Sequence, residues 1–409
     1  MRKIIAVCVV GIAIAAGLPM VAGSAAVTSL QAPTTYYSGP GYTVGVYGSR
    51  VVKQDVRAGF PALFNDGRGK VWLSYARNRD LPTEAPVIAT MVSTDRGATF
   101  RPHPGGVNVQ NAIRGAAGQD LAIAGHAQIL STTPRRDTGR LTVWRGPDWR
   151  PTAGSVALRT PTRPGANVYF NQGIIRYGSS LLAPYYGRFA GDVPGTPASR
   201  VELASSTDGV HWRTKGTIAK AYRLGNGDRV VYSETSVIAL PSGGIMAVMR
   251  REQYTAAGAR VRALPLVYSI SIDGGRNWNK PAYVRVAGAA LVRGARPLVQ
   301  RMPDGNYMLG VGRPDNRIVF ARGHHADGSP RWTTEVVAYR NFPTKPAGGQ
   351  LHRDLGSSGY VAMTPIGRHT MLTAYDNCAP GWGCPAHMSG WVTDARSTLV
   401  VRRVAMVNR

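Results

Sequence analysis

The segment Ser271–Trp278, SIDGGRNW, follows the pattern Ser-x-Asp-x-Gly-x-x-Trp. Ser93–Phe100 repeats this pattern with Phe at the last position, and Ser206–Trp212 repeats it with one residue deleted. Asp can accept hydrogen bonds from the backbone N–H groups just ahead of it, and Gly supplies the positive φ that other residues resist. Three copies of one turn indicate a repeated architecture. The aspartates that we expect to be structural in these turns are Asp95, Asp208 and Asp273.

A second pattern recurs six times, in which a short apolar strand passes through a Gly-containing turn into another apolar strand. Such runs on either side of Asp-Gly, Gly-Gly or Gly-Arg are typical of β-hairpins. The copies begin 66, 47, 62, 62 and 62 residues apart and are Ala58–Arg77, Ala124–Arg145, Asn171–Arg188, Ser233–Arg250, Ala295–Arg313 and Ser357–Asp376. Where a Ser–Asp–Gly turn is visible, it follows the hairpin, between the third and fourth strands. The sequence therefore predicts an all-β fold, a six-bladed β-propeller of four-stranded antiparallel blades.

Residues 1–26 have the features of a secretory signal. Arg2 and Lys3 form a basic start, residues 4–16 an apolar core, and residues 24–26 a small-residue cleavage site. This apolar run is too short for a membrane anchor, and no later run approaches the length of about 18 apolar residues that a span needs. We therefore expect a secreted protein without a membrane span. Residues 27–50 are expected to form an entry arm or the strand that closes the ring, and residues 51–409 the propeller.

Cysteine usage agrees with export. Cys8 lies in the signal segment, and Cys378 and Cys384 are six residues apart with Pro and Gly between them. In an oxidising compartment these two are expected to form one loop-closing disulfide. No metal or cofactor is predicted, because this segment offers too few ligands, and the Gly and Ser near His324 and Asp327 favour an exposed loop. The chain has no phosphate-binding glycine loop, zinc helix motif or Gly-x-Ser-x-Gly elbow.

The chain is strongly basic, with a formal net charge of +27, and 42 of its 49 basic residues are arginines. Three explanations fit this excess: a basic footprint for nucleic acid, a coding bias that favours arginine, and attraction to anionic substrates or surfaces. No nucleic-acid-binding motif or basic helix supports the first, so no nucleic-acid partner is expected. Arginine grips a carboxylate with two parallel hydrogen bonds, which is compatible with an acidic ligand.

A propeller gathers the first strand of each blade around one axis, so residues at one end of these strands converge. Chemistry should therefore be sought there. The polar residues at this end are Arg57, Arg77, Arg79 and Asp80 in blade one, Glu234 and Arg250 in blade four, Arg296, Arg313 and Arg317 in blade five, and Tyr360 and Asp376 in blade six.

The turns, the six blades and this order of residues resemble the sialidase (neuraminidase) family over essentially the whole chain after the signal segment. By this resemblance Tyr360 matches the nucleophile, Glu234 the glutamate paired with it, and Asp80 the acid/base. The resemblance also supplies a carboxylate clamp, with Arg250 as the second arginine, Arg313 or Arg317 as the third, and Asp376 as the acid that steadies the first arginine. It implies a secreted exo-α-sialidase that releases terminal sialic acid, with sialylated or other acidic glycans as partners.

The first clamp arginine departs from the family pattern. Where the family has Arg-Ile-Pro at the opening strand, this chain has Gly59-Phe60-Pro61. Arg57 is two residues earlier, on the same strand face but displaced by about 6–7 Å. Two alternatives therefore stay open beside the sialidase. One is a propeller hydrolase or lyase that acts on another acidic or neutral sugar, and the other is a non-catalytic propeller that binds carbohydrate or protein.

Overall fold

Six sheets around one axis form a six-bladed β-propeller, as the repeated hairpins predict. Within the described ranges every regular element is a strand. The computed structural model describes residues 32–55, 58–77, 87–115, 119–124, 126–129, 137–151, 156–160, 168–170, 173–192, 198–287, 290–313, 315–340, 359–378 and 397–408.

Several predicted features lie outside the described residues. They are the signal segment 1–26, Arg57, Arg79, Asp80 and Cys384. Cys378 ends a strand, but only its backbone is described, so the disulfide stays a prediction.

The strands follow the chain from blade to blade. The N-terminal strands are β1 (Thr35–Gly39), β2 (Tyr42–Val46) and β3 (Arg50–Asp55). Blade one contains β4 (Gly59–Asn65), β5 (Val71–Ala76), β6 (Ile88–Ser93) and β7 (Arg101–His103). Blade two and its insertion contain β8 (Asn111–Ile113), β9 (Leu121–Ile123), β10 (His126–Ile129), β11 (Asp137–Leu141), β12 (Val143–Arg145), β13 (Arg150–Pro151), β14 (Val156–Arg159) and β15 (Val168–Phe170).

The remaining blades have longer strands. Blade three contains β16 (Ile175–Tyr177), β17 (Ser180–Gly187), β18 (Arg200–Ser206) and β19 (His211–Lys220). Blade four contains β20 (Tyr222–Arg223), β21 (Arg229–Ala239), β22 (Ile245–Tyr254), β23 (Arg260–Ser271) and β24 (Ala282–Tyr283), followed by the ribbon β25 (Arg285–Val286) and β26 (Ala290–Leu291). Blade five contains β27 (Ala295–Arg301), β28 (Tyr307–Gly312), β29 (Asn316–His324) and β30 (Pro330–Tyr339), and blade six contains β31 (Val361–Pro365), β32 (Thr370–Cys378) and β33 (Ser397–Asn408).

The N-terminal strands complete the sheet of blade six. β2 pairs with the end of β33 and β1 pairs with β2, while β3 pairs with the beginning of β33. Residues from the expected arm or closing segment 27–50 therefore join the last blade. In a propeller, such pairing between the two ends of the chain links the first blade to the last and leaves fewer exposed strand edges.

Blade two differs from the prediction. The predicted hairpin Ala124–Arg145 covers β10 and β11, which do pair with each other, but they belong to the sheet of blade three through β14 and β15. The hairpin that opens blade two is instead β8–β9, of three residues per strand. Its strands are too short to show periodicity, and the second apolar run of the predicted hairpin, residues 141–144, spans the junction between β11 and β12, which belong to different sheets. The pairing of β14 with β19 is parallel, a departure from an otherwise antiparallel fold.

The Ser–Asp–Gly turns connect the third and fourth strands of blades one, three and four, as predicted. In each turn the Ser hydroxyl accepts a hydrogen bond from the Gly N–H, and an Asp carboxylate oxygen accepts N–H groups ahead of it. The Gly-to-Ser bonds are Gly97 to Ser93 at 2.7 Å, Gly209 to Ser206 at 2.8 Å and Gly275 to Ser271 at 2.8 Å. Local bonding of this kind closes the turn without help from distant residues.

The same glycines lie at the contacts between neighbouring blades. All three have positive φ, and a Cβ at any of them would collide with a leucine of the preceding blade. The pairs are Gly97 with Leu372, Gly209 with Leu121 and Gly275 with Leu203. Glycine is therefore required twice, by the backbone conformation and by the close approach. The turns consequently fix how neighbouring blades pack.

A central channel of about 690 Å³ is lined by the first strands of all six blades. Arg296 is part of this lining and is the second residue of β27, while Tyr360 directly precedes β31 and Glu234 lies in the middle of β21. Within the described part of the chain, no helical segment combines the length and hydropathy needed to cross a bilayer.

Candidate active site

Three first strands are irregular at the same end of the channel. Register shifts interrupt the pairing of β4, β21 and β27, and the residues inside these shifts include Phe60, Glu234 and Arg296. A β-bulge adds a residue to one strand and re-aims its side chain. Phe60 and Arg296 also have positive φ, of 56° and 42°. Strained backbone of this kind clusters at functional sites, where the surroundings enforce it.

Tyr360 and Glu234 meet at this end, although they are 126 residues apart in the sequence. The Tyr360 hydroxyl donates a hydrogen bond of 3.1 Å to Glu234 Oε1. The ring of Phe60 meets the ring of Tyr360 edge-on, with centroids 4.8 Å apart and planes at 84°. Aromatic contacts in this geometry are favourable and fix the ring that carries the hydroxyl.

Glu234 is a buried carboxylate with strong donors on its second oxygen. Arg250 Nη1 and the backbone N–H of Arg296 each donate to Oε2 at 2.8 Å. Burial acts to raise the pKa of Glu234, but the charges of Arg250 and Arg313 and these hydrogen bonds outweigh it and hold the pKa below its ordinary value. Glu234 is therefore ionised at neutral pH and accepts the proton of the Tyr360 hydrogen bond.

Arg250 lies between two glutamates. Its second nitrogen, Nη2, donates to Glu252 Oε1 at 2.7 Å, and Arg260 Nε lies 2.6 Å from the same oxygen. Burial lowers the pKa of Arg250, but the two carboxylates outweigh burial and raise it. A guanidinium with carboxylates on both sides has a fixed orientation, so Arg250 provides a rigid positive charge beside Glu234.

Arg313, one of the two candidates for a third arginine, lies next to the pair. It follows β28 directly, has a φ of 57°, and packs so closely on Gly359 that a Cβ there would be 2.5 Å from Arg313 Nε. Burial and the nearby charge of Arg250 lower the pKa of Arg313, while Glu234 and Tyr360 oppose them. Arg317, the other candidate, instead bonds to Glu335 at 2.5 Å and to the Arg293 carbonyl.

Asp376 and Gly59 face each other at the blade-one side of the site. Asp376 is buried on β32, and a Cβ built on Gly59 would have Asp376 Oδ2 as its nearest neighbour, at 3.8 Å. The position that the sialidase pattern gives to the first arginine is therefore adjacent to the acid that the same pattern assigns to steady it. Arg57 and Asp80, the other blade-one candidates, are not among the described residues.

Arg296 makes contacts in the site that the sequence did not indicate. The sequence places it with the blade-five arginines but indicates no role for it. Its guanidinium lies 3.9 Å from the centroid of the Tyr360 ring, and its Nη1 donates to the Pro61 carbonyl at 3.2 Å. The sequence signal was a positively charged residue at the start of a first strand. The bulge that turns it towards Tyr360 depends on tertiary contacts and has no local signature.

Two tyrosines in the sheet of blade three are not among the residues that the sequence predicts for the site. Burial raises the pKa of Tyr186 well above its ordinary value, and the charges of Tyr360 and Glu234 raise it further, so Tyr186 is near enough to the pair to interact with it electrostatically. Tyr169 stacks on Tyr186 with ring centroids 5.4 Å apart, and its own ring is partly exposed. Their proximity follows from the pairing of β15 with β17, across the insertion whose hairpin was misplaced in the sequence prediction.

The arrangement can carry out two kinds of chemistry. A neutral hydroxyl bonded to an ionised carboxylate can act as a nucleophile that passes its proton to that carboxylate. The guanidinium groups of Arg250 and Arg313 supply positive charge for an anionic group. In the ranges that the structure describes, no cluster of three or more His, Cys, Asp or Glu side chains could hold a metal.

No protein-family profile matches this chain, and no curated protein matches it in sequence. Solved structures do match it. A protein of unknown function from Dyadobacter fermentans has a TM-score of 0.59 at 16% identity, over 90% of this chain and 99% of that one. A mutant of the α-L-arabinofuranosidase Arb93a from Fusarium graminearum has a TM-score of 0.54 at 12% identity, over 87% and 97%.

A mutant of the NanB sialidase from Streptococcus pneumoniae has a TM-score of 0.51 at 13% identity, over 88% of this chain and 70% of that one. At these identities the likeness concerns the fold. The chain is thus similar over most of its length to propeller structures that include enzymes acting on two different sugars.

Proposed function

We propose that this protein is a glycoside hydrolase of the propeller type, and specifically an exo-α-sialidase that releases terminal sialic acid from glycoconjugates. The observation that carries the proposal is the 3.1 Å hydrogen bond from the Tyr360 hydroxyl to Glu234, a carboxylate held by Arg250. A structural tyrosine has no need of an ionised, arginine-bound partner next to a residue that lines the channel. A nucleophile that must lose a proton does.

In the first step Tyr360 Oη attacks the anomeric carbon, and its proton passes to Glu234 Oε1. The bond from that carbon to the glycosidic oxygen breaks, and the leaving oxygen takes a proton from Asp80, which has this role by the family resemblance. In the second step water attacks the same carbon and gives a proton to Asp80. The bond to Tyr360 breaks, and Tyr360 regains its proton from Glu234. Two displacements return the original configuration.

The charge of the substrate explains why a neutral nucleophile suits this site. A sialoside has a carboxylate on its anomeric carbon, so an anionic nucleophile would meet a like charge, whereas tyrosine does not. Sialidases with a tyrosine nucleophile are a known exception to the two-carboxylate pattern of glycosidases. Arg250 and Arg313 would bind the substrate carboxylate as positive charge develops on the sugar ring.

A second candidate is a propeller glycosidase for a sugar that has no carboxylate. Gly59 at the position of the first clamp arginine favours it, and so does the similarity to the Fusarium graminearum structure, whose enzyme acts on arabinofuranosides. In this case Tyr360 and Glu234 would keep their roles, and the arginines would serve mainly to hold Glu234.

Two fluorogenic substrates separate these candidates. We expect release of 4-methylumbelliferone from its α-sialoside between pH 4 and 8, and none from its α-L-arabinofuranoside. Cleavage of the arabinoside alone would reject the sialidase and favour the second candidate. Cleavage of neither would reject both of these activities.

An arginine introduced at position 59 tests the clamp. A Cβ at Gly59 would have no neighbour closer than Asp376 Oδ2, at 3.8 Å, so we expect Gly59→Arg to lower KM for the sialoside by about tenfold because a third charge-assisted contact forms. An unchanged or higher KM would show that this corner does not bind the carboxylate. Gln110→Arg adds the same charge elsewhere in the lining of the channel, at a residue without positive φ, and serves as the control for a general electrostatic effect.

We also propose that the protein acts outside the cell, because residues 1–26 have the pattern of a secretory signal. Expression of the full chain should yield a secreted product that begins near residue 27, as N-terminal sequencing would establish. Retention of residues 1–26 on the product would contradict this proposal.

A further inference from the structure

The face of the Tyr360 ring is covered by a buried cation. Arg296 is only 3% exposed, and its guanidinium carbon lies 3.9 Å from the ring centroid. Cation–π attraction operates within about 6 Å and strengthens when the cation is desolvated. The geometry is therefore close and dry, unlike that of an arginine that rests on a surface tyrosine.

Arg296 is tied to both members of the Tyr360–Glu234 pair. Its side chain covers the ring of Tyr360, its backbone N–H donates to Glu234 Oε2 at 2.8 Å, and its Nη1 reaches the carbonyl of Pro61 in blade one at 3.2 Å. These contacts hold a φ of 42°, which is unfavourable for arginine and persists only where the surroundings enforce it. One residue thus fixes the relative positions of blades one, four, five and six at the site.

The pair faces a mismatch in proton affinity that such a cation can reduce. The ordinary pKa of tyrosine is about 10 and that of glutamate about 4.3, and the pKa of Glu234 is lower still. Transfer of the Tyr360 proton to Glu234 is therefore strongly uphill unless the tyrosinate is stabilised. The negative charge of a tyrosinate spreads into its ring, so a guanidinium on the ring face stabilises the tyrosinate more than the neutral side chain.

We infer that Arg296 is a positioning residue for Tyr360 that stabilises its tyrosinate form from the ring face as the hydroxyl proton moves to Glu234. This inference rests on the proposed role of Tyr360 as the nucleophile. Arg296 is buried beneath the ring, so it acts through Tyr360 and leaves the contact with a substrate carboxylate to other arginines.

Several other charged or titratable groups affect the ionisation of Tyr360. The positive charges of Arg250 and Arg313 favour the tyrosinate, whereas Glu234 and Tyr186 oppose it. Asp376, on β32, raises the pKa of Arg296. Arg296 differs from these groups because its charge lies directly over the ring of Tyr360. Neutralising it should therefore change the ionisation of Tyr360 while the Arg250–Glu234 ion pair persists.

The test measures the ionisation of Tyr360 without a substrate. The alkaline absorbance titration near 295 nm is recorded for each protein and for its Tyr360→Phe counterpart, and the difference isolates Tyr360. We expect Arg296→Met to raise the pKa of Tyr360 by about 2, since an adjacent opposite charge commonly shifts a pKa by about 1–3. Arg301→Met is the matched control, because Arg301 is on the same strand and lies 6.0 Å from the ring of another tyrosine, Tyr307.

A Tyr360 pKa that is the same in Arg296→Met as in the unsubstituted protein would overturn the inference. If Arg296→Met does not fold, Arg296→Gln removes the same charge but can still donate to the Pro61 carbonyl, and the same rise is expected. Because no substrate is used, this result stands apart from the success of the sialoside assay.

Turnover provides a second readout if the α-sialoside is cleaved. We expect Arg296→Met to lower kcat by about 10²-fold, the size of a typical general acid–base contribution, with KM changed by less than about threefold. A large rise in KM at unchanged kcat would assign Arg296 to substrate binding and overturn the positioning role. Failure of the unsubstituted protein to cleave any sialoside would reject the proposed function, while the titration would still decide whether Arg296 stabilises the tyrosinate.

Discussion

The pKa values of two buried glutamates, Glu234 in blade four and Glu202 in blade three, are shifted in opposite directions. The two residues are 5% and 2% exposed, and each lies beside an arginine. The pKa of Glu234 is held below its ordinary value, whereas burial raises the pKa of Glu202 to about 7 against the opposing effect of Thr217 and Arg200. Burial and the presence of an arginine are therefore not enough to keep a carboxylate ionised.

The difference lies in how each oxygen is bonded. Both oxygens of Glu234 accept hydrogen bonds, including one of 2.8 Å from Arg250. At Glu202, Oε1 accepts from Thr217 at 3.1 Å and from Arg200 at a long 3.5 Å, and Oε2 has no hydrogen-bond partner among the described residues. Arg200 directs Nε and Nη2 to Asp192, at 2.6 and 2.5 Å. Arg250 also binds a second acid, Glu252, but it keeps a 2.8 Å contact with Glu234, whereas Arg200 leaves only a 3.5 Å contact with Glu202.

The contrast supports the catalytic role that we propose for Glu234 and gives no such support for Glu202. At Glu234, residues from three blades hold a buried carboxylate in its ionised form. Burying a charge costs free energy, and this arrangement is therefore more consistent with a catalytic role than with packing alone. At Glu202 the fold tolerates protonation near neutral pH. A perturbed pKa alone would have selected Glu202, whereas the geometry of its partners selects Glu234.

The largest expected effect is on catalysis. Glu234→Gln should lower kcat for the sialoside by about 10³-fold, because the amide cannot take the proton of Tyr360. Tyr360→Phe should cause a loss at least as large, because the nucleophile is gone. The measurement is steady-state release of 4-methylumbelliferone at pH 5 to 7.

Glu202→Gln is the matched control for this loss. It makes the same chemical change at a glutamate of similar burial, and we expect kcat within about twofold of the unsubstituted protein. Near-normal turnover in both Glu234→Gln and Tyr360→Phe would reject their assignment. An equal loss in Glu202→Gln would show that any buried glutamate matters and would remove the distinction between the two.

The fold could be predicted because its signals are local. The turn Ser271–Trp278 closes through hydrogen bonds within the segment itself, and its Gly275 has the positive φ that the motif requires. The hairpins with strands of five or more residues show clear apolar patterns. Blade two was misplaced because its opening strands have three residues each, too few for a period to appear.

The site could be predicted only in part. The resemblance in residue order identifies Tyr360, Glu234 and Arg250. In the structure Tyr360 and Arg250 each donate a hydrogen bond to Glu234. The contribution of Arg296 could not be found in this way. It depends on a bulge and on contacts with Glu234 and Pro61, which precede Arg296 in the sequence by 62 and 235 positions. Local patterns give the strand on which a residue lies, but the bulge decides where its side chain points.

The second expected effect is on the pH dependence of stability. The folded-state pKa of Glu202 is about 7, above its ordinary value, so its protonated form favours folding. That contribution is present at low pH and is lost as the pH rises through about 7. We expect the free energy of unfolding of Glu202→Gln, relative to the unsubstituted protein, to rise by about 3 kcal/mol between pH 5 and 8.

Urea unfolding at several pH values measures this difference, and Glu234→Gln is the comparison. The pKa of Glu234 is lowered, so Glu234 stays ionised from pH 5 to 8 and its contribution is lost only when the pH falls towards its folded-state value. The difference between Glu234→Gln and the unsubstituted protein should therefore be constant in this window. A constant difference for Glu202→Gln as well would contradict a raised pKa at Glu202.

The smallest expected effect comes from releasing Arg200. Asp192→Asn removes the charge that competes for this guanidinium, which already lies 3.5 Å from Glu202 Oε1. We expect Arg200 to move towards Glu202 and to lower its pKa by about 1, so the fall in stability between pH 5 and 8 should shrink by about 1.4 kcal/mol. The same urea series provides the measurement, and the double variant Asp192→Asn with Glu202→Gln should show no such change relative to Glu202→Gln. If Asp192→Asn leaves the pH dependence unaltered, competition for the arginine does not explain why Glu202 differs from Glu234.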